Sequence, residues 1–447
     1  MSTRTENRSW KPDGRRFIPR LESREGEVML EMSPKSCFEG IMAPLLLLGV
    51  LANHGCESSP TPVSTAVVFE GARLIVGDGS PPIENAAFVV DGGRFDQLGP
   101  TGEVEVPRGA NRVDLTGRTV MPTVIDTHVH LNQERDALIE DLRARARYGV
   151  SAAMSLGRDT RDLSIREEEI PGAARFRSAG VGITSPEPGR SEIPYWVATE
   201  EEARQAVQEQ AARKVDIIKI WVDDRNGQYK KLSSQLYGAI IDEAHQHAIR
   251  VTAHIFALED AKGLLRAGVD AFAHGVRDTD VDEEVIELFM HRGDVVLVPN
   301  LPNRGVATDM SWLSGSLPPA ELEELQAAAV DNTDAQATFA IQARNLVRLS
   351  AEGVTVALGT DGNTPWAPHI EMEDMVAAGM TPAQVIVAAT RNSADLLRLA
   401  DAGTLEVGKR ADFLVLEANP LEDITNSRRI VSVYLKGEEV DRSAMTQ

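Results

Sequence analysis

The sequence predicts an α/β protein: a (β/α)8 TIM-type barrel with a small β-sandwich domain built from both chain ends. Three observations predict it. Between about 119 and 401, eight short apolar runs alternate with helical patterns over about 280 residues, close to the ~250 residues of a typical barrel. The flanks of that region hold short β-type runs separated by glycine turns, too few on either side for an independent core. The polar residues able to do chemistry fall at the ends of the central runs, where barrel enzymes build their sites.

In chain order, residues 1–62 read as an export signal and linker. Residues 1–28 carry seven basic and five acidic residues without an apolar period. A twelve-residue apolar run at 41–52 follows, too short to span a bilayer but fitting a signal-peptide core. Gly55-Cys56 and a Ser/Pro/Thr stretch to Pro62 come next, so translation from Met29 or Met32 and a lipid anchor on Cys56 are expected. Such a protein would be exported, periplasmic or held at a bacterial membrane.

Strand-like runs at 66–70, 72–76 and 87–90 form the first half of the sandwich, assigned to 63–118. Runs at 411–416 and 430–437 form the second half, assigned to 402–447. The barrel strands are expected at 120–129, 152–156, 179–183, 216–222, 250–255, 271–274, 295–299 and 355–358, with helices such as 233–248 and 258–267 between them. A doubly wound sheet is the competing architecture, but no glycine-rich dinucleotide fingerprint follows any strand.

Hydrophobic residues make up 42% of the chain and charged residues 26%, which excludes a collagen, a coiled coil or a wholly disordered chain. Asp and Glu number 68 against 46 Lys and Arg, a formal charge of −22 that repels phosphate backbones and excludes nucleic acid as a partner. Two cysteines, Cys37 and Cys56, cannot build a disulfide scaffold or a cysteine zinc site, so histidine and carboxylate must hold any metal.

Those ligands are present. His128 and His130 are two apart and share one face of a strand; His254 and His274 close two later strands, and Asp361 follows another. Lys219 interrupts an otherwise apolar strand. A buried ammonium beside a metal cluster would suffer desolvation and cation repulsion. Carboxylation by carbon dioxide would turn it into an anion whose two oxygens can bridge two ions. Zinc is the expected metal, although manganese or cobalt suits the same donors. Arg225 and Tyr229, after the fourth strand, and Asn300, after the seventh, are candidate substrate-binding residues.

Val120-Met-Pro-Thr-Val-Ile-Asp-Thr-His-Val-His130 resembles the opening motif of the amidohydrolase superfamily. Asp216-Ile-Ile-Lys-Ile220, Ala253-His254, Ala273-His-Gly275 and Gly359-Thr-Asp-Gly362 resemble its imidazolonepropionase-like and prolidase-like branch. The resemblance implies that His128 and His130 bind a buried metal, that His254 and His274 bind a second, and that carboxylated Lys219 bridges them. It implies that Asp361 touches the buried metal and acts as the base for a metal-bridging hydroxide. The family has Pro-Gly where this chain has Pro122-Thr123, and often small residues where Trp221 stands.

The implied function is binuclear hydrolysis of the amide bond of a dipeptide or N-acyl amino acid, with a cyclic, imidazolone-type amide as the alternative. A deaminase ranks lower because Ile255, Phe256 and Ala257 follow His254, with no His-x-x-Glu pair. A non-catalytic exported binding lipoprotein is the rival of another class, but no implied ligand is missing. Self-association into a homo-oligomer is left open.

Overall fold

The computed structural model describes residues 65–443; the export segment, Cys56 and the two internal start sites lie outside them. No helix among the described residues is long and apolar enough to cross a membrane.

Strands from both chain ends form one eight-stranded sheet. Its order runs Glu438–Glu439, Ile430–Leu435, Phe413–Leu416, Thr119–Pro122, Val67–Leu74, Ile83–Asp91 and Arg94–Pro100, with Asn111–Asp114 also paired to Val67–Leu74. The sandwich is therefore a single sheet folded over on itself. The amide of Phe95 donates to the carbonyl of Lys409 and that of Ala411 to Gly93, both at 3.0 Å, bringing the Arg94–Pro100 edge against the segment that leads into Phe413–Leu416. Alternation along each strand points Phe69, Phe88, Phe95, Phe413 and Tyr434 inward. Phe69 stacks on Phe88 at 4.8 Å and Phe413 on Tyr434 at 4.5 Å, with an edge contact of 5.2 Å between Phe69 and Phe413. Rings drawn from both termini make one core that neither half could bury alone.

The barrel strands are Val124–Val129, Val150–Ser155, Arg175–Ser178 continuing to Ile183–Thr184, Ile218–Val222, Val251–Ile255, Ala271–Ala273, Val296–Val298 and Thr355–Val356. They are parallel throughout and nearly all buried, as a sheet covered by helices on its outer face requires. The ring closes where the amide of Thr127 donates to the carbonyl of Leu358 at 2.9 Å and Val129 bridges Gly362. Helix Ser234–Gln246 shows how the outer layer is specified. The Ser233 hydroxyl caps its first turn, and Tyr237, Ile240, Ile241 and Ala244 form its buried stripe at helical spacing. The second connection carries only a 3-10 turn, Ser164–Glu167, in place of a full helix.

Two strand assignments differ from the sequence expectation. The run expected at 120–129 is broken at Thr123: Thr119–Pro122 pairs with Phe413–Leu416 in the end sheet, and only Val124–Val129 joins the barrel. The third barrel strand begins at Arg175, before the expected 179. Arg175 and Arg177 alternate there with the buried Phe176 and Ser178, and Gly180, at φ 61°, interrupts the apolar run expected to carry the pairing.

Candidate metal centre

The C-terminal ends of the first, fifth, sixth and eighth barrel strands converge, and the side chains they carry meet there. The Nε2 atoms of His128 and His130 both lie 3.0 Å from the same Oδ1 of Asp361. Nε2 of His274 is 3.3 Å from the other oxygen of Asp361 but makes no hydrogen bond with it. The His254 and His274 rings are 4.6 Å apart, and those of His128 and His274 5.3 Å. Asp126, fully buried beneath, accepts the N–H of His128 and the N–H and hydroxyl of Thr360, which ties the first strand to the eighth. His274, Asn300 and Asp361 hold left-handed backbone conformations, at φ 103°, 45° and 54°. Such strain at three strand ends is retained where side chains must be aimed.

Water is excluded from most of these groups, and that sets their charge. Burial brings His128 down to about 4, the Lys219 charge reinforcing it and Asp361 opposing. Burial likewise brings His254 to about 3 and His274 far below the usual range. These three imidazoles are neutral near pH 7, as metal ligands must be. Burial alone would raise Asp361, but the neighbouring His128, His130 and His274 hold it well below the ordinary carboxylate range.

The donor set fits a cation. Nδ1 of His128 faces Oδ1 of Asn300 at 3.0 Å, which places the ring proton on Nδ1 and leaves a lone pair on Nε2. That lone pair points at a carboxylate oxygen, an arrangement that a positive ion between them makes favourable. One ligand atom from each of His128, His130 and Asp361 lies within 4.8 Å of the others.

Lys219 is 1% exposed, and its ammonium nitrogen has no hydrogen-bond partner. It lies 5.6 Å from the centre of the Trp221 ring. Burial brings it down to about 7, Asp361 opposing and Arg277 and Arg225 reinforcing. A lysine in that state is partly a free amine, the form able to react with carbon dioxide.

A cavity of about 260 Å³ opens over the cluster, walled by His128, His130, His254, His274 and Asp361 and by the side chains of Trp221 and Arg225. Arg225 is held there by Asp223 at 2.6 Å and Glu187 at 3.3 Å. Asn300 stands behind His128, outside the cavity wall. Tyr229 is also outside it: its hydroxyl donates to the carbonyl of Pro188 at 3.2 Å. Sequence reasoning missed Asp223, Glu187 and Arg158. Asp223 had a readable signal, since Lys219, Trp221 and Asp223 share one strand face at spacing two. Glu187 and Arg158 lie on loops, where no period operates.

The amidohydrolase family matches residues 119–440. Ochratoxinase from Aspergillus niger is 27% identical over 91% of this chain and 92% of its own length. Imidazolonepropionase from Deinococcus radiodurans is 26% identical over 80% of this chain and 92% of its own. Among solved structures, a candidate prolidase from Bifidobacterium longum superposes with a TM-score of 0.70 at 29% identity, covering 85% of this chain and 95% of that one. With a matched region that takes in all but the first strands of the end sheet and the whole barrel, this chain belongs to the amidohydrolase family and is a metal-dependent hydrolase of carbon–nitrogen bonds.

Proposed function

We propose that the protein hydrolyses the amide bond of a dipeptide or an N-acyl amino acid at a binuclear centre. In this reading His128, His130 and Asp361 hold one divalent ion, and His254 and His274 the other. Lys219, carboxylated by carbon dioxide, bridges them; zinc is the expected metal. When bound, the ions supply Lewis acidity that polarises the scissile carbonyl and acidifies water. Asp361 takes a proton from the attacking water on a carboxylate oxygen. It then delivers that proton to the leaving nitrogen as the carbon–nitrogen bond breaks, giving a carboxylate and an amine. Burial keeps His128, His254 and His274 neutral, and the neighbouring imidazoles keep the Asp361 carboxylate ionised.

The observation that carries this reading is the meeting of two imidazole nitrogens on one Asp361 oxygen, beside a buried lysine nitrogen without a partner. Metal analysis and hydrolysis of a panel of dipeptides and N-acyl amino acids test it. Two ions per chain and turnover on the panel are expected, with Asp361→Asn keeping the metal and losing turnover by at least ~100-fold. One ion per chain in the active enzyme would sink the binuclear reading.

A cyclic amide is the second reading, supported by the relative named imidazolonepropionase. Export rests on the 41–52 run and Gly55-Cys56; mass spectrometry of the mature N-terminus tests it, and an unprocessed chain in the cytoplasm would refute it.

A further inference from the structure

The cavity over the cluster has three guanidinium groups in its wall, and two are already committed. Arg225 is paired with Asp223 and Glu187, and Arg190 with Glu187 at 2.5 Å. Glu187, only 3% exposed, is therefore spent on two cations. Arg158 is the third. Among the described residues no carboxylate lies within 4.0 Å of its guanidinium, although acidic residues outnumber basic ones by 68 to 46.

Its side chain is exposed at the cavity, but the segment that carries it is held. The backbone on either side is pinned: Arg158 bridges Val181, the amide of Gly182 donates to the carbonyl of Gly157 at 3.0 Å, and that of Asp159 to Gly180 at 2.9 Å. Asp159 is fully buried, bonded to Ser178 and paired with Arg161 at 2.8 Å. The neighbours of Arg158 are thus locked while its own side chain stands in the same cavity wall as Asp361. A cation without a carboxylate partner, on a held backbone beside a reaction centre, is suited to take an anion from the substrate.

We infer that Arg158 anchors a substrate carboxylate, so the amides this enzyme cleaves carry a free carboxylate within a few bonds of the scissile one. The inference rests on the hydrolase reading above and deepens it: the carboxylate that dipeptides and N-acyl amino acids carry is recognised by Arg158, so their carboxamide-capped counterparts are poor substrates. A charge-assisted hydrogen bond of this type is worth roughly a 10- to 100-fold preference.

The test is acetate release from N-acetyl-leucine and from N-acetyl-leucinamide by the metal-loaded enzyme and its variants. The wild type should prefer the free acid at least ~10-fold in kcat/KM, through KM. Arg158→Gln should bring the two substrates within ~2-fold of each other with its metal content intact, and Arg158→Lys should keep part of the preference. An equal fall on both compounds, or an undiminished preference, would overturn the assignment. Should neither compound be cleaved, the hydrolase reading has failed for this class, and calorimetry of the same two ligands still decides the role of Arg158. Tighter binding of the acid that disappears in Arg158→Gln supports it, and equal binding of acid and amide overturns it.

Discussion

Asp223 Oδ2 lies 3.1 Å from Nε2 of His254, and both side chains are 12% exposed. A carboxylate oxygen and an imidazole nitrogen at that separation can share either a proton or a cation. Burial would raise Asp223, but its bonds to His254 and to the amide of Arg225, with the Arg225 charge, hold it well below the carboxylate range. The carboxylate is ionised near neutral pH and fixes the orientation of His254. Asp223→Asn keeps the shape and removes the charge. Its expected effect is a 10- to 100-fold loss in metal affinity, read by competition with a chelator. Unchanged affinity would make Asp223 a partner of Arg225 alone.

Trp221 packs against two strand-flanking segments that leave room for it only because they carry glycine at 157 and 182. A Cβ on Gly182 would come within 2.3 Å of the indole, and one on Gly157 within 2.5 Å. Gly182 does not have a positive φ, so the conflict there is one of space. Gly182→Ala should cost about 1–3 kcal/mol of stability by overpacking. In a Trp221→Leu background the same substitution should cost much less. A double-mutant cycle in urea measures the coupling, and additive costs would show that the indole is not the obstacle.

Much of this was readable from residue order. The histidines and Asp361 stand at strand ends because short apolar runs, alternating with helical stripes, leave few registers for a parallel barrel. Lys219 stood out for the same reason, as one charge in an apolar strand. What escaped was decided by chain segments without a period. Glu187 and Arg158 come from loops whose course depends on the whole barrel. Tyr229 was assigned to the substrate on sequence proximity to Lys219, but its loop carries the hydroxyl to Pro188. His369 is a similar case. It follows Asp361 by eight residues in a stretch without a clear period, yet it is 1% exposed in helix Ala367–Ala378, between Ser427 and the carbonyl of Tyr148.

That buried His369 gives a pH prediction separate from the metal. Burial brings it down to about 4, the bond to the Tyr148 carbonyl opposing and Arg428 and Arg442 reinforcing. In the unfolded chain it titrates near the usual value of about 6.5. Between those values the unfolded state binds a proton that the fold refuses, so stability falls as pH drops from about 6.5 to about 4. This one group accounts for a loss of order 3 kcal/mol across that window. His369→Gln should be less stable than wild type near neutrality, having lost shaped hydrogen bonds, with the gap narrowing or reversing toward about pH 4.5. Urea unfolding at the two pH values checks it; parallel pH dependences for the two proteins would show that His369 is not the titrating group.

Lys219 should show activity and stability pulling in opposite directions. In the metal-free protein its amine is buried without a hydrogen bond and brought down to about 7, from about 10.5 in the unfolded chain. As pH falls from 10.5 toward 7, the unfolded state takes up the proton first, and the fold loses stability over that window. Lys219→Met keeps most of the side-chain volume and removes both the amine and its desolvation. The metal-free variant should therefore be more stable than metal-free wild type near neutrality, by about 1–4 kcal/mol, as replacement of buried charge by a packed apolar group often is. Without the amine there is nothing to carboxylate, so turnover should fall at least ~100-fold and metal binding weaken. Urea unfolding of chelator-treated proteins, set beside kinetics of the metal-loaded ones, reads both effects. A variant that is less stable and still active would mean that Lys219 is held in place by packing and takes no part in the chemistry.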